Sequence, residues 1–181
     1  MKNLLFALLA FGLASFNASA NPTGPVTPGN LGSISLPATL TYGNTINSAG
    51  TLFNDLYTFT IMPGSLDSVT TSIDLGNVIG LNNLSSFLFS NTTSTTIENA
   101  TVITAPVPGI PSATATELVL SPVDLGAGTY TLQISGSVLP TAISGSYSGV
   151  LNITSAVPEP STYGMLLSGI GLLGFMTRRK I

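Results

Sequence analysis

Leu52-Phe53-Asn54-Asp55-Leu56-Tyr57-Thr58-Phe59-Thr60-Ile61 is the stretch from which the fold class can be read. Side chains alternate across a strand, so Phe53, Asp55, Tyr57 and Phe59 fall on one face, an aromatic surface with an acid set into it. Similar runs, rich in Val, Ile, Thr, Tyr and Phe, lie on either side and are punctuated by Gly, Asn and Pro about every ten residues. They predict strands at 39–46, 52–61, 68–75, 84–90, 95–103, 114–120, 128–136 and 146–154. In the seventh, Tyr130, Leu132 and Ile134 alternate cleanly with Thr129, Thr131, Gln133 and Ser135. Short strands at this spacing, with no sustained helical period from 30 to 155, predict an all-β chain: a single jelly-roll-like β-sandwich over 33–156. Residues 21–32, with Pro22, Pro25 and Pro28 at intervals of three, read as an extended Pro/Gly-rich linker.

Charge narrows the chemistry. Only 6 % of the 181 residues are charged, against roughly a quarter in an ordinary soluble domain. The cations are Lys2, Arg178, Arg179 and Lys180, all near the ends of the sequence. From residue 21 to 157 there are six acids and no base, a charge of −6, so this segment forms no internal salt bridge. Nucleic acid is excluded as its partner, because affinity for a phosphate backbone comes from Lys and Arg displacing counterions. Without Cys or His, disulfides, Cys/His metal sites and His-based triads are excluded, and no Lys base lies near the Ser residues. No carboxylate pair has a neighbourhood that marks it as acid and base, so the expectation is a non-enzyme without cofactor. Asp55, on its aromatic face, must accept hydrogen bonds from backbone amides or from Ser, Thr or Tyr hydroxyls, coordinate a metal, or remain at a solvated strand end. A calcium site would require Asp55, Asp67, Asp74 and Asp124 to converge.

The two ends read as targeting segments. Residues 1–20 have the form of a signal peptide: Lys2, an apolar stretch from Leu4 to Phe16, and a cleavage pattern at Ala18-Ser19-Ala20 for signal peptidase. Residues 157–181 open with Val157-Pro158-Glu159-Pro160, a helix-hostile tetrapeptide. An apolar segment follows, predicted as a transmembrane helix over 161–177, about 25 Å long at 1.5 Å per residue. Arg178, Arg179 and Lys180 would hold its end at the cytoplasmic side of the membrane.

Val157-Pro158-Glu159-Pro160-Ser161-Thr162-Tyr163, the apolar segment and Arg178-Arg179-Lys180 together resemble the PEP-CTERM sorting domain of exported Gram-negative proteins. The resemblance implies cleavage near Pro158-Glu159-Pro160 by an exosortase-type membrane protease and association with extracellular polysaccharide. Phe53-Asn54-Asp55-Leu56-Tyr57-Thr58-Phe59 is similar to the FxDxF-type members, with Phe53, Asp55, Tyr57 and Phe59 as structural motif residues. The region resembles, more loosely, bacterial pre-peptidase C-terminal jelly-roll domains. The resulting expectation is an exported, non-catalytic protein of the surface or biofilm matrix. It would sit in the inner membrane before processing and at the cell surface or in the extracellular matrix afterwards. The alternative is a carbohydrate- or calcium-binding adhesive module.

Overall fold

The computed structural model describes residues 26–156 and 164–170. The first of these segments holds β1 (Gly29–Ser33), β2 (Ala38–Ile46), β3 (Leu52–Ile61), β4 (Gly64–Asp74), β5 (Leu81–Ser90), β6 (Thr95–Asn99), β7 (Thr101–Pro106), β8 (Thr114–Leu125), β9 (Gly128–Val138) and β10 (Gly145–Ser155). They form two five-stranded sheets, β1-β3-β9-β5-β6 and β2-β10-β4-β8-β7. Successive strands mostly change sheet, so the β3 face read from the sequence meets β10, about ninety residues further on, across the interior.

Alternation builds the core. Tyr57, Phe59 and Ile61 of β3 and Tyr130, Leu132 and Ile134 of β9 are buried, and β4, β8 and β10 answer with Leu66, Leu118, Leu120, Leu151 and Ile153. Tyr42 of β2 also turns inward and lies across β10 at Gly149, where an added Cβ would collide with its ring carbon Cζ and its hydroxyl. Pro122, inside β8, breaks no ladder: pairing with β4 passes from Leu66↔Val123 to Ser68↔Leu120, so the proline sits in a bulge.

The structure adds two strands to the eight expected from the sequence. Within the expected linker over 21–32, Val26 bridges to Tyr42, and Gly29–Ser33 is a strand parallel to β3. The glycines and prolines that signal a linker also permit an irregular, bulged edge strand, and Leu31 packs against the core. The single strand expected over 95–103 is two, because the chain crosses between sheets at Ala100, whose N–H bonds to Ser86 O. The predicted transmembrane helix over 161–177 is described only in part. The described part of it, 164–170, is helical, and among the described residues no helix is long and apolar enough to cross a membrane. Residues 1–20 with Ala18 and Ala20, the motif Val157, Pro158, Glu159 and Pro160, and the cluster Arg178, Arg179 and Lys180 lie outside the described residues.

Candidate functional site

Asp55 projects from β3 into the space between the sheets. Its Oδ2 accepts from Asn44 Nδ2 of β2 at 2.8 Å and from the Tyr147 hydroxyl of β10 at 2.5 Å. The Tyr147 hydroxyl has one hydrogen, and the carboxylate takes it. Tyr57, whose oxygen lies 3.0 Å from that of Tyr147, therefore donates to Tyr147. Phe53 stacks on the Tyr147 ring at 5.7 Å and 13°. Further inside, the Tyr42 ring is tilted against Tyr57 at 5.0 Å, and its hydroxyl sits between Ser68 Oγ at 2.7 Å and Thr70 Oγ1 at 2.5 Å. The result is a polar seam through an apolar core, joining the sheets where no cation is available. Among the described residues only one buried hydroxyl, Ser86 Oγ, lacks a partner.

The seam holds its tyrosines neutral. Burial pushes Tyr57 up to about 12, and the nearby Asp55 charge adds to the rise. Burial is also the largest cause of the rise at Tyr42 and at Tyr147, where the hydrogen bond given to Asp55 raises it further. Each of these phenols loses a proton only at a cost in buried charge. Such a network clamps the two sheets together.

The outer faces are rich in hydroxyls. On the β3/β9 face, Thr58 pairs with Thr131 at 3.0 Å and Thr60 with Thr129 at 2.9 Å, and Ser85 of β5 reaches Ser135 at 2.9 Å. The sequence has no regular Thr repeat, but β-pairing sets Thr58-x-Thr60 beside Thr129-x-Thr131. On the other sheet an uncharged groove of about 480 Å³ runs over β2, β10 and β4, lined by Thr45, Thr71, Ser146 and Ser148 with Ile73, Leu75 and Ile79 along one side. Hydroxyls on a partly apolar floor can bind a neutral polyol.

The four aspartates considered for calcium are not brought together. Asp55 is in the seam, and Asp67, on the outer face of β4, accepts from Asn152 at 3.2 Å. Asp74, at the end of β4, accepts from Gly76 N–H at 2.6 Å, and Asp124 pairs in β8 opposite Ser65. Among the described residues no three acidic side chains form a group that could hold a metal ion. Phe53, Asp55, Tyr57 and Phe59 do share the inward face. Asn44 and Tyr147, which complete the seam, carry no local sequence signal, because they reach Asp55 only through pairing across the two sheets.

The sandwich closes with Ser155 at the end of β10 and Ala156 N–H bonded to Pro63 O at 3.1 Å. Beyond it, the helical residues 164–170 expose Met165, Leu166, Leu167 and Ile170, each by more than half. Residues 156–180 match the PEP-CTERM protein-sorting motif. The motif marks the chain as exported and sorted by an exosortase, a membrane protein, towards the cell surface. No curated protein matches the chain. Among solved structures, it is similar to the pre-peptidase C-terminal domain of a collagenase from Bacillus anthracis, at 12 % identity and TM-score 0.38, over 72 % of this chain and 100 % of that one. It is also similar to PliG of Salmonella Typhimurium, a periplasmic inhibitor of g-type lysozyme, at 17 % identity and TM-score 0.36, over 73 % of this chain and 100 % of that one.

Proposed function

We propose that this chain is a non-catalytic surface or matrix component: a β-sandwich displayed outside a Gram-negative cell after its PEP-CTERM tail has been read, with a structural or adhesive role in extracellular polysaccharide. One observation carries this reading. The sandwich ends at Ser155 and the sorting motif begins at 156, so the folded passenger and its delivery signal meet without overlap. Cleavage near Pro158-Glu159-Pro160 would release the sandwich intact. The apolar side chains exposed on 164–170 fit a tail that enters the bilayer before processing, with Arg178, Arg179 and Lys180 left on the cytoplasmic side.

Cell fractionation tests the destination. The sandwich is expected with the extracellular polysaccharide, and enzymic digestion of that polysaccharide is expected to release it; recovery only from the periplasm would contradict the proposal. The second reading, a carbohydrate-binding module, rests on the uncharged hydroxyl groove over β2, β10 and β4. Against it, the chain has no Trp, and of the described tyrosines only Tyr147 lines this groove, with 4 % of its surface exposed, too little for a stacking platform. A glycan array separates the two: selective binding favours the module, and uniform silence favours the structural role.

A further inference from the structure

A sandwich of two open sheets has four edge strands, and three of them here are protected. β1 is short, parallel and bulged between Asn30 and Gly32. β2 is covered at its centre by Val26, whose N–H bonds to Thr41 O and whose carbonyl accepts from Gly43 N–H. β6 is bulged against β5 and carries Glu98. β7, Thr101-Val102-Ile103-Thr104-Ala105-Pro106, has none of these devices. It pairs with β8 in six consecutive registers without a shift, contains no charge and is exposed along its whole length, Val102 by 52 % and Ile103 by 48 %. An unbulged, uncharged, partly apolar edge is a template for another strand.

Backbone parity fixes what that strand must look like. Val107 N–H donates to Ala113 O, towards the β8 side, so Ala105, Ile103 and Thr101 also bond to β8. Val102, Thr104 and Pro106 then turn their backbone groups to the open edge, and Pro106 has no donor to leave unpaired there. Ala100, next in the same parity, already gives its N–H to Ser86 O. The open edge thus offers two N–H groups, those of Val102 and Thr104. An antiparallel copy of β7 on a two-fold axis through Ile103 satisfies both. Val102 and Thr104 of one copy each exchange a pair of hydrogen bonds with Thr104 and Val102 of the other, giving four in all, and Ile103 meets its own symmetry mate. Either neighbouring register sets these donors against Pro106, which has no N–H, or against Ala100, whose N–H is taken.

We propose that β7 is a self-association edge through which two copies join their β2-β10-β4-β8-β7 sheets into one ten-stranded sheet. The self-complementarity is an isologous match, so the assembly closes as a dimer. Like charge opposes it. Glu117 lies beside Ile103 on β8, and the two copies of Glu117 would stand three strand spacings apart, about 14 Å. Salt therefore tightens the dimer, since the screening length falls from about 30 Å at 0.01 M to about 8 Å at 0.15 M.

The chain has no cysteine, which makes a direct test available. In the processed protein recovered from producing cells, Ile103→Cys places two thiols at a non-hydrogen-bonded pair, about 4.5 Å between Cα atoms and within disulfide reach. It is expected to cross-link to a covalent dimer at least ~10-fold faster than Leu52→Cys, an exposed position on β3 away from this edge. Sedimentation of the unmodified protein is expected to show twice the monomer mass, more completely at 0.15 M salt than at 0.01 M. Thr104→Pro removes an open-edge donor and leaves the β7–β8 bonds in place, and Ile103→Lys sets two like charges on the axis. Both are expected to return the protein to monomer with an unchanged circular dichroism spectrum. Three results would each overturn the proposal: monomer at all concentrations and salts, equal cross-linking by the two cysteine variants, or a dimer indifferent to both Thr104→Pro and Ile103→Lys. Slow hydrogen exchange at Val102 and Thr104 in a monomer would also overturn it, because something other than a second copy would then cover the edge.

Discussion

In the sandwich, meaning is spread across distance: Asp55 finds Asn44 eleven residues back and Tyr147 ninety-two residues on, and only the pairing of two sheets brings the three together. In the tail, meaning is contiguous, a sorting motif that lies along residues 156–180. The contrast teaches that delivery and folding are separable in this chain. A substitution should damage one without the other.

The largest separation is expected at the motif. Replacing Pro158, Glu159 and Pro160 with Ala should abolish processing, read as retention of the tail by intact mass. The melting temperature of the sandwich should move by no more than about 2 °C, because no strand is touched. The converse variant, Phe59→Ala, empties a fully buried position and should destabilise the sandwich by about 3–5 kcal/mol in urea unfolding, without altering the cleavage site in whatever folded protein is recovered. A shared loss in either variant would break the contrast.

Smaller effects sharpen it within the sandwich. Asp55→Ala strands the donors of Asn44 and Tyr147 and should lower stability by about 1–3 kcal/mol, whereas Asp55→Asn keeps an acceptor and should lose less. Alkaline pH should act on the same seam. An unfolded tyrosine ionises near 10 and folded Tyr57 only near 12, so between these values the unfolded chain binds fewer protons. Stability then falls as pH rises through that window, by up to about 1.4 kcal/mol per pH unit for this residue. The raised Tyr42 and Tyr147 act in the same direction. Denaturant midpoints at pH 9 and pH 11 measure the effect, and Tyr57→Phe should flatten it.

How far the fold was legible follows from whether a signal is local. β3 stands where alternation placed it, at Leu52–Ile61, and β9 and β10 run only one or two residues beyond their expected ends. β1 was hidden because Gly29 and Gly32 read as linker, while its strand character comes from the open side of β3. The break at Ala100 was hidden because β6 and β7 are equally rich in Thr and Ile, and a change of sheet leaves no mark in composition. The seam showed one half of itself: Asp55 on an aromatic face signalled a carboxylate in need of donors, but nothing near Asn44 or Tyr147 named them. The exposed edge at β7 was equally silent, since exposure on an edge depends on which strand ends a sheet.

The most direct measurement is the intact mass of the polypeptide recovered from the outside of producing cells. The expected species lacks residues 1–20 and ends near Pro158-Glu159-Pro160, with the sandwich whole. Full-length polypeptide found in the cytosol with its first twenty residues attached would contradict export and sorting together.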